Sequence, residues 1–209
     1  MELWMFVGAL AAVYLLPGPD MILVLQTGTL QGRSQAFATV AGLAMARGLH
    51  VALAALGLAT LFKTAPWTFD AVRYLGAAYL VWMGVQLLFS GAGRPGESTQ
   101  GAPGPAASHR RAWRRGLLTN LLNPKSLLFC SVLLPQFVLP GEGTILLQFA
   151  LLGVLLVGIG VLFDSLYATA GSWLRRWLAD GSTRERLQRW SFGSLLIGFG
   201  IRLALYRQP

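Results

Sequence analysis

Charge is scarce in this sequence: only 12% of its 209 residues are Asp, Glu, Lys or Arg, about half the share usual in a soluble domain. A soluble fold of this size would want more polar surface. Cys130 is the only cysteine, which excludes an internal disulfide and a paired-cysteine redox centre. There is no HExxH, GxSxG or phosphate-loop pattern, and no His, Cys and Asp cluster at metal-ligand spacing. Neither an enzyme active site nor a bound metal or other cofactor is expected.

What the chain has is apolar length. Hydrophobic residues make up 55% of it and fall in long blocks rather than at amphipathic spacing, and about 18 or more apolar residues in a row are what span a bilayer. The blocks predict six transmembrane helices: Leu3 to Thr27, Gln35 to Phe62, Trp67 to Ser90, Trp113 to Val138, Thr144 to Leu174 and Leu187 to Tyr206. The first block follows Met1-Glu2 without a basic leader and has no A-x-A-like site before Pro17, so it is expected to be a retained helix. Gly91 to Ser108, rich in Gly, Pro, Ala and Ser, reads as a flexible loop. The expected organisation is a three-helix unit over 1–90, a cytoplasmic Gly/Pro-rich loop over 91–112 and a second three-helix unit over 113–209.

The net charge of +9 does not point to nucleic acid, because 10 of the 17 Lys and Arg lie in Arg94 to Arg115 and Arg175 to Arg189, between apolar blocks. Basic residues gathered this way mark cytoplasmic loops. With the amino terminus outside, the inner face holds Arg33, Arg94, Arg110, Arg111, Arg114, Arg115, Arg175, Arg176, Arg184, Arg186 and Arg189, eleven residues against four outside (Lys63, Arg73, Arg202 and Arg207). A bacterial inner-membrane protein with both termini outside is therefore expected. Three helices per half means that the halves, if they are repeats, sit inverted in the membrane, a common transporter arrangement. The fold class expected is an all-α membrane protein of two inverted three-helix repeats, surrounded by lipid. Its small-residue faces are compatible with a homodimer.

The candidate site lies where the opening helix of each half is interrupted. In Leu15-Leu16-Pro17-Gly18-Pro19-Asp20 two prolines remove backbone donors and Gly18 loosens the chain, so helix 1 should break. Leu121-Leu122-Asn123-Pro124-Lys125 repeats the theme in helix 4. Carbonyls freed at membrane depth must find partners or line a polar cavity, which makes Pro17, Gly18, Pro19, Asp20, Asn123, Pro124 and Lys125 candidate substrate ligands. Asp20 and Lys125 stand at depths about a turn apart. They are read either as a structural ion pair or as a pair that opens to engage a zwitterion. Asn123 offers donor and acceptor to an amino or carboxyl group; Gln26 and Gln136 are weaker candidates. Of the remaining membrane ionisable residues, Arg47 and His50 share a helix face, Asp164 is a candidate counter-charge for Arg47, and His50 is either a proton relay or a packed side chain.

These phrases are also where the chain resembles the LysE/RhtB amino-acid exporters. The likeness runs through Pro17 to Pro19, His50-Val-Ala-Leu-Ala-Ala-Leu-Gly-Leu-Ala59, Tyr74-Leu-Gly-Ala-Ala-Tyr-Leu-Val-Trp-Met-Gly84, Asn120-Leu-Leu-Asn-Pro-Lys125 and Leu134-Pro-Gln-Phe137, in that order. The resemblance implies export of amino acids or related small zwitterions from the cytoplasm, with the proton gradient as driving force. A metal-ion carrier of the wider superfamily is the runner-up, and it would need converging carboxylate, His or thiolate ligands. A non-transporting assembly factor is the reading from another class.

Overall fold

The computed structural model describes residues 3–57, 64–65, 67–89, 105–139, 143–177 and 182–205. The first apolar run forms α1 (Leu3–Leu15), which stops just before Pro17. Helix α2 (Pro19–Leu30) restarts with Pro19 in its first turn, where the missing N–H costs nothing, and with Asp20 beside the unpaired amides of the helix start. The two helices meet at 56°. Gly18 caps α2 in extended conformation (φ −163°), which any residue adopts, so the prolines and not the glycine make the break.

Helix α3 (Arg33–Ala55) begins after Gly32, whose φ of 102° favours glycine, and stops at Ala55. It was expected to reach Phe62. Gly57, at φ 92°, donates back to the Ala54 carbonyl and closes the last turn; residues 58–63 lie outside the described residues. Helix α4 (Trp67–Phe89) follows. Most of the expected loop over 91–112 lies outside the described residues, as do residues 140–142 between the expected fourth and fifth helices. Helix α5 (Pro105–Leu121) starts ahead of the expected Trp113, led by proline at its first position and two alanines.

The second break falls at Leu122-Asn123, with a bend of 55°. The Asn123 side chain accepts from the Lys125 amide at 3.1 Å and so caps α6 (Pro124–Leu128). The chain continues as a π turn (Phe129–Leu133) and a 3-10 turn (Leu134–Phe137) around Pro135. Helices α7 (Ile145–Trp177) and α8 (Ser182–Leu205) complete the fold. Every element among the described residues is helical. Helices α3 and α7 are long and apolar enough to cross a membrane, four spans result if each bent pair counts as one, and Tyr74–Phe89 and Trp190–Leu205 are shorter apolar stretches.

Helices α2, α3 and α7 meet at the centre through Val24, Ala36, Val40, Leu43 and Ala168. On one side α4 and α8 pack on α2 through Ile22, Leu23, Leu80, Met83 and Leu196. On the other, Phe6 and Leu10 of α1 meet Phe129, Leu134, Leu152 and Leu156. Close crossings use glycine. A methyl group at Gly42 would collide with the Trp113 carbonyl, and one at Gly116 with the Thr39 carbonyl, so α3 and α5 touch backbone to backbone. Gly84 and Gly193 do the same for α4 and α8, and Gly28 and Gly171 for α2 and α7. Leu146, Leu147, Val154, Leu162 and Leu166 are left exposed along α7, a surface suited to lipid rather than water.

Candidate functional site at the two helix breaks

The breaks face each other. Asp20, in the first turn of α2, receives hydrogen bonds from Asn120 Nδ2 at 2.6 Å and Asn123 Nδ2 at 3.1 Å, so a carboxylate of the first break is held by amides flanking the second. Asn120 is completely buried and also reaches Ser126 Oγ at 2.8 Å. Asn123 thus does two things at once, its oxygen capping α6 and its nitrogen holding Asp20.

Two cations, one buried and one half-buried, serve the site in different ways. Arg47 of α3 is 2% exposed and pairs with Asp164 of α7 at 2.5 Å and, more loosely, with Asp20 at 3.5 Å. Its guanidinium carbon also lies 4.9 Å from the centre of the Tyr14 ring. Tyr14 is fixed by donating to the Leu156 carbonyl at 2.9 Å, while Tyr167 donates to the Tyr14 carbonyl at 3.0 Å. Gly160 makes room for this, because a side chain there would meet both Arg47 Nη1 and the Tyr14 hydroxyl at 2.7 Å.

Lys125 does not pair with Asp20 in this structure, contrary to what depth alone suggested. Its ammonium donates to the carbonyls of Val13 at 2.5 Å and Leu16 at 3.0 Å. The reason lies in the first break. In an unbroken helix the Val13 carbonyl would accept from the amide of residue 17, and Pro17 has none; Lys125 supplies the donor from the other half of the molecule.

Pro17, Gly18, Pro19, Asn123, Pro124 and Lys125 line one cavity of about 640 Å³, whose remaining wall is mostly apolar (Leu80, Leu128, Phe129, Phe199 and others) with Arg202 as a second cation. That volume lies within the range of about 300–1,000 Å³ usual for small-molecule sites. Behind it, Asp20, Arg47, Asp164 and Tyr14 surround a residual space of about 30 Å³, far too small for a substrate. Gly18, Asn123 and Lys125, with Val13 and Leu16, border both spaces and form the partition between them.

The other candidates fall elsewhere. His50 is buried against the Leu121 carbonyl with Nδ1 unpartnered. Gln26 lines a separate cavity of about 580 Å³ with Gln31, Gln86 and Arg115. Gln136 donates to the Val132 carbonyl of its own segment. Among the described residues no three His, Cys, Asp or Glu side chains converge. Sequence reasoning missed Asn120, Tyr14, Ser126 and Gly160. Asn120 had a legible signal, a polar amide inside an apolar block just ahead of the break; Tyr14 and Gly160 had none, because only the fold brings them to Arg47.

Comparison with known proteins agrees with this architecture. Residues 11–207 match the LysE type translocator family. The chain is 33% identical to a homoserine/homoserine lactone efflux protein of Salmonella typhimurium over 91% of its own length and 90% of that protein. It is 30% identical to a leucine efflux protein of Enterobacter over 98% and 95% of the two chains, and 34% identical to an uncharacterized membrane protein of Pseudomonas aeruginosa over 97% and 94%. No solved structure matches it. A match across nearly the whole chain, joined to a helical membrane architecture with two opposed breaks, places this protein in the LysE type translocator family.

Proposed function

We propose that the protein exports α-amino acids or closely related small zwitterions from the bacterial cytoplasm across the inner membrane, as six spans in two inverted three-helix repeats. The observation that carries this reading is Asp20, a carboxylate placed at one helix break and held by Asn120 and Asn123 of the other. A zwitterion brings opposite charges into a region of low dielectric, and each needs a partner to offset its desolvation. Asp20 takes the ammonium group. Lys125 and Asn123, which already face the larger cavity, take the carboxylate. Homoserine and leucine, for which two relatives are named, share this zwitterionic head and differ in side chain.

Arg47 has the place of a stand-in. While Asp20 has no substrate, the guanidinium at 3.5 Å offsets its charge; when a substrate ammonium arrives, Arg47 withdraws onto Asp164, its closer partner. Asp20 is then never left as an isolated buried charge. A proton carried inward as the substrate leaves couples export to the proton gradient. The partition must move for the substrate to reach Asp20, so opening of the two breaks is the gating step.

The test is efflux from preloaded cells across a panel of amino acids, with membrane abundance measured for each variant. Asp20→Asn and Lys125→Met should each be inserted and should export at least about tenfold more slowly, the loss expected on removing one buried charge partner. Because the two side chains are not each other's partners here, the double variant should recover nothing. Wild-type rates in both single variants would move the site elsewhere.

A further inference from the structure

A second groove lies between α4 and α5, away from the helix breaks. It has a volume of about 800 Å³ and brings together Arg110, Arg111, Arg114 and Arg115 with Tyr79 and Trp82. The spacing explains the grouping. Arg110 stacks over Arg114 and Arg111 over Arg115, one turn apart, so α5 presents two adjacent rows of guanidinium groups. On α4, Tyr79 and Trp82 are three residues apart, with ring centres separated by 5.8 Å. Trp82 is 53% exposed.

The groove joins two chemistries, the four arginines of α5 lining it together with Tyr79, Trp82, Gln86 and Leu118. Among the described residues no carboxylate lines it, and none of the four arginines has an acidic partner. Loop charges that only set orientation need no such arrangement, for the positive-inside rule asks for a number of Lys and Arg and not for a shared cleft with an aromatic floor. Four forked donors beside tryptophan and tyrosine match a phosphate diester with its chains continuing along the rings. A free phosphate ion would use the arginines and leave the rings uncovered.

We infer that the cleft formed by Arg110, Arg111, Arg114, Arg115, Tyr79 and Trp82 binds the headgroup and upper acyl chains of an anionic glycerophospholipid at the membrane boundary. The guanidinium groups hold the phosphate and the rings hold the glycerol and first methylenes. This site is distinct from that of the exported substrate and does not depend on it.

Native mass spectrometry of the full chain in detergent, titrated separately with dioleoylphosphatidylglycerol, dioleoylphosphatidylcholine and inorganic phosphate, tests it. The phosphatidylglycerol should bind at least about tenfold more tightly than the phosphatidylcholine. The double variant Arg111→Gln/Arg114→Gln should weaken phosphatidylglycerol binding about 30-fold. Trp82→Ala should weaken it too. Arg33→Gln, which removes an exposed charge beside the Ser34–His109 contact to α5 but outside the groove, should change it less than about twofold, as expected of a charge that is only screened. Equal binding of the two lipids, or equal loss in Arg33→Gln and the double variant, would overturn the inference. Displacement of the phosphatidylglycerol by equimolar inorganic phosphate would also overturn it, by assigning the groove to a free anion.

Discussion

Pro17 and Lys125 are one device at the residue scale. The proline deletes a donor that the Val13 carbonyl needs and the lysine restores it from the opposite break, so the two interruptions depend on each other. Lys125→Met should therefore leave the part-buried Val13 carbonyl unserved in addition to slowing export, lowering stability by about 1–3 kcal/mol, whereas Lys125→Arg should retain most of the stability. Thermal unfolding of the detergent-purified protein separates the two variants. Arg47→Met is the more severe change because it strands Asp164, itself 2% exposed; loss of one partner of a buried ion pair costs about 3–5 kcal/mol. Adding Asp164→Leu should recover much of that stability, and an unchanged melting temperature in Arg47→Met alone would contradict the pairing. The sequence exposed both acids and both cations of the cluster, since charges in apolar blocks are conspicuous. It matched Asp164 to Arg47, as the structure has it, and missed the partners of Lys125 and Asp20. Residue counting gives height along a helix and says nothing about the direction in which each side chain turns, which is why Lys125 was matched to Asp20 and not to the end of α1.

At the scale of the helix, α3 shows where a pattern of small residues stops being informative. Gly42 and Gly48 belong to the same run and look alike in sequence. In the structure a side chain at Gly42 would strike the backbone of α5, while one at Gly48 would meet nothing within 4 Å. Gly42→Ala should accordingly force α3 and α5 apart and destabilise by about 1–3 kcal/mol or more. Gly48→Ala should be neutral or stabilising by up to about 1 kcal/mol, through helix propensity. The comparison is a pair of melting curves with folded yield alongside, and equal effects at the two positions would refute the crossing. The breaks in helices 1 and 4 were legible because proline acts through the backbone alone, whatever its neighbours. The early start of α5 and the early stop of α3 were not, since they depend on capping and on a left-handed glycine rather than on the apolar blocks that defined the expected spans.

For the whole molecule, the two bent pairs carry the strongest hint of internal symmetry: their bends, 56° and 55°, are nearly equal, and each is followed by two further long helices. With the proposed three spans per half, the second half enters the membrane from the side opposite the first, and the charge distribution favours one orientation. Eleven basic residues fall on one face and four on the other when both termini are outside, and each residue on the wrong side of a short loop opposes insertion. Because Cys130 is buried and is the chain's only cysteine, Cys130→Ala gives a background for single-cysteine labelling in intact cells. A membrane-impermeant maleimide should reach a cysteine at Glu142 from outside, and should reach one at Gln100 or Gly181 only after permeabilisation. Labelling of Gln100 in intact cells would reverse the orientation, and Arg110 to Arg115 would then face the exterior. Labelling of Glu142 and Gly181 from the same side would mean that α7 does not cross the membrane, which would dismantle the inverted three-plus-three arrangement itself.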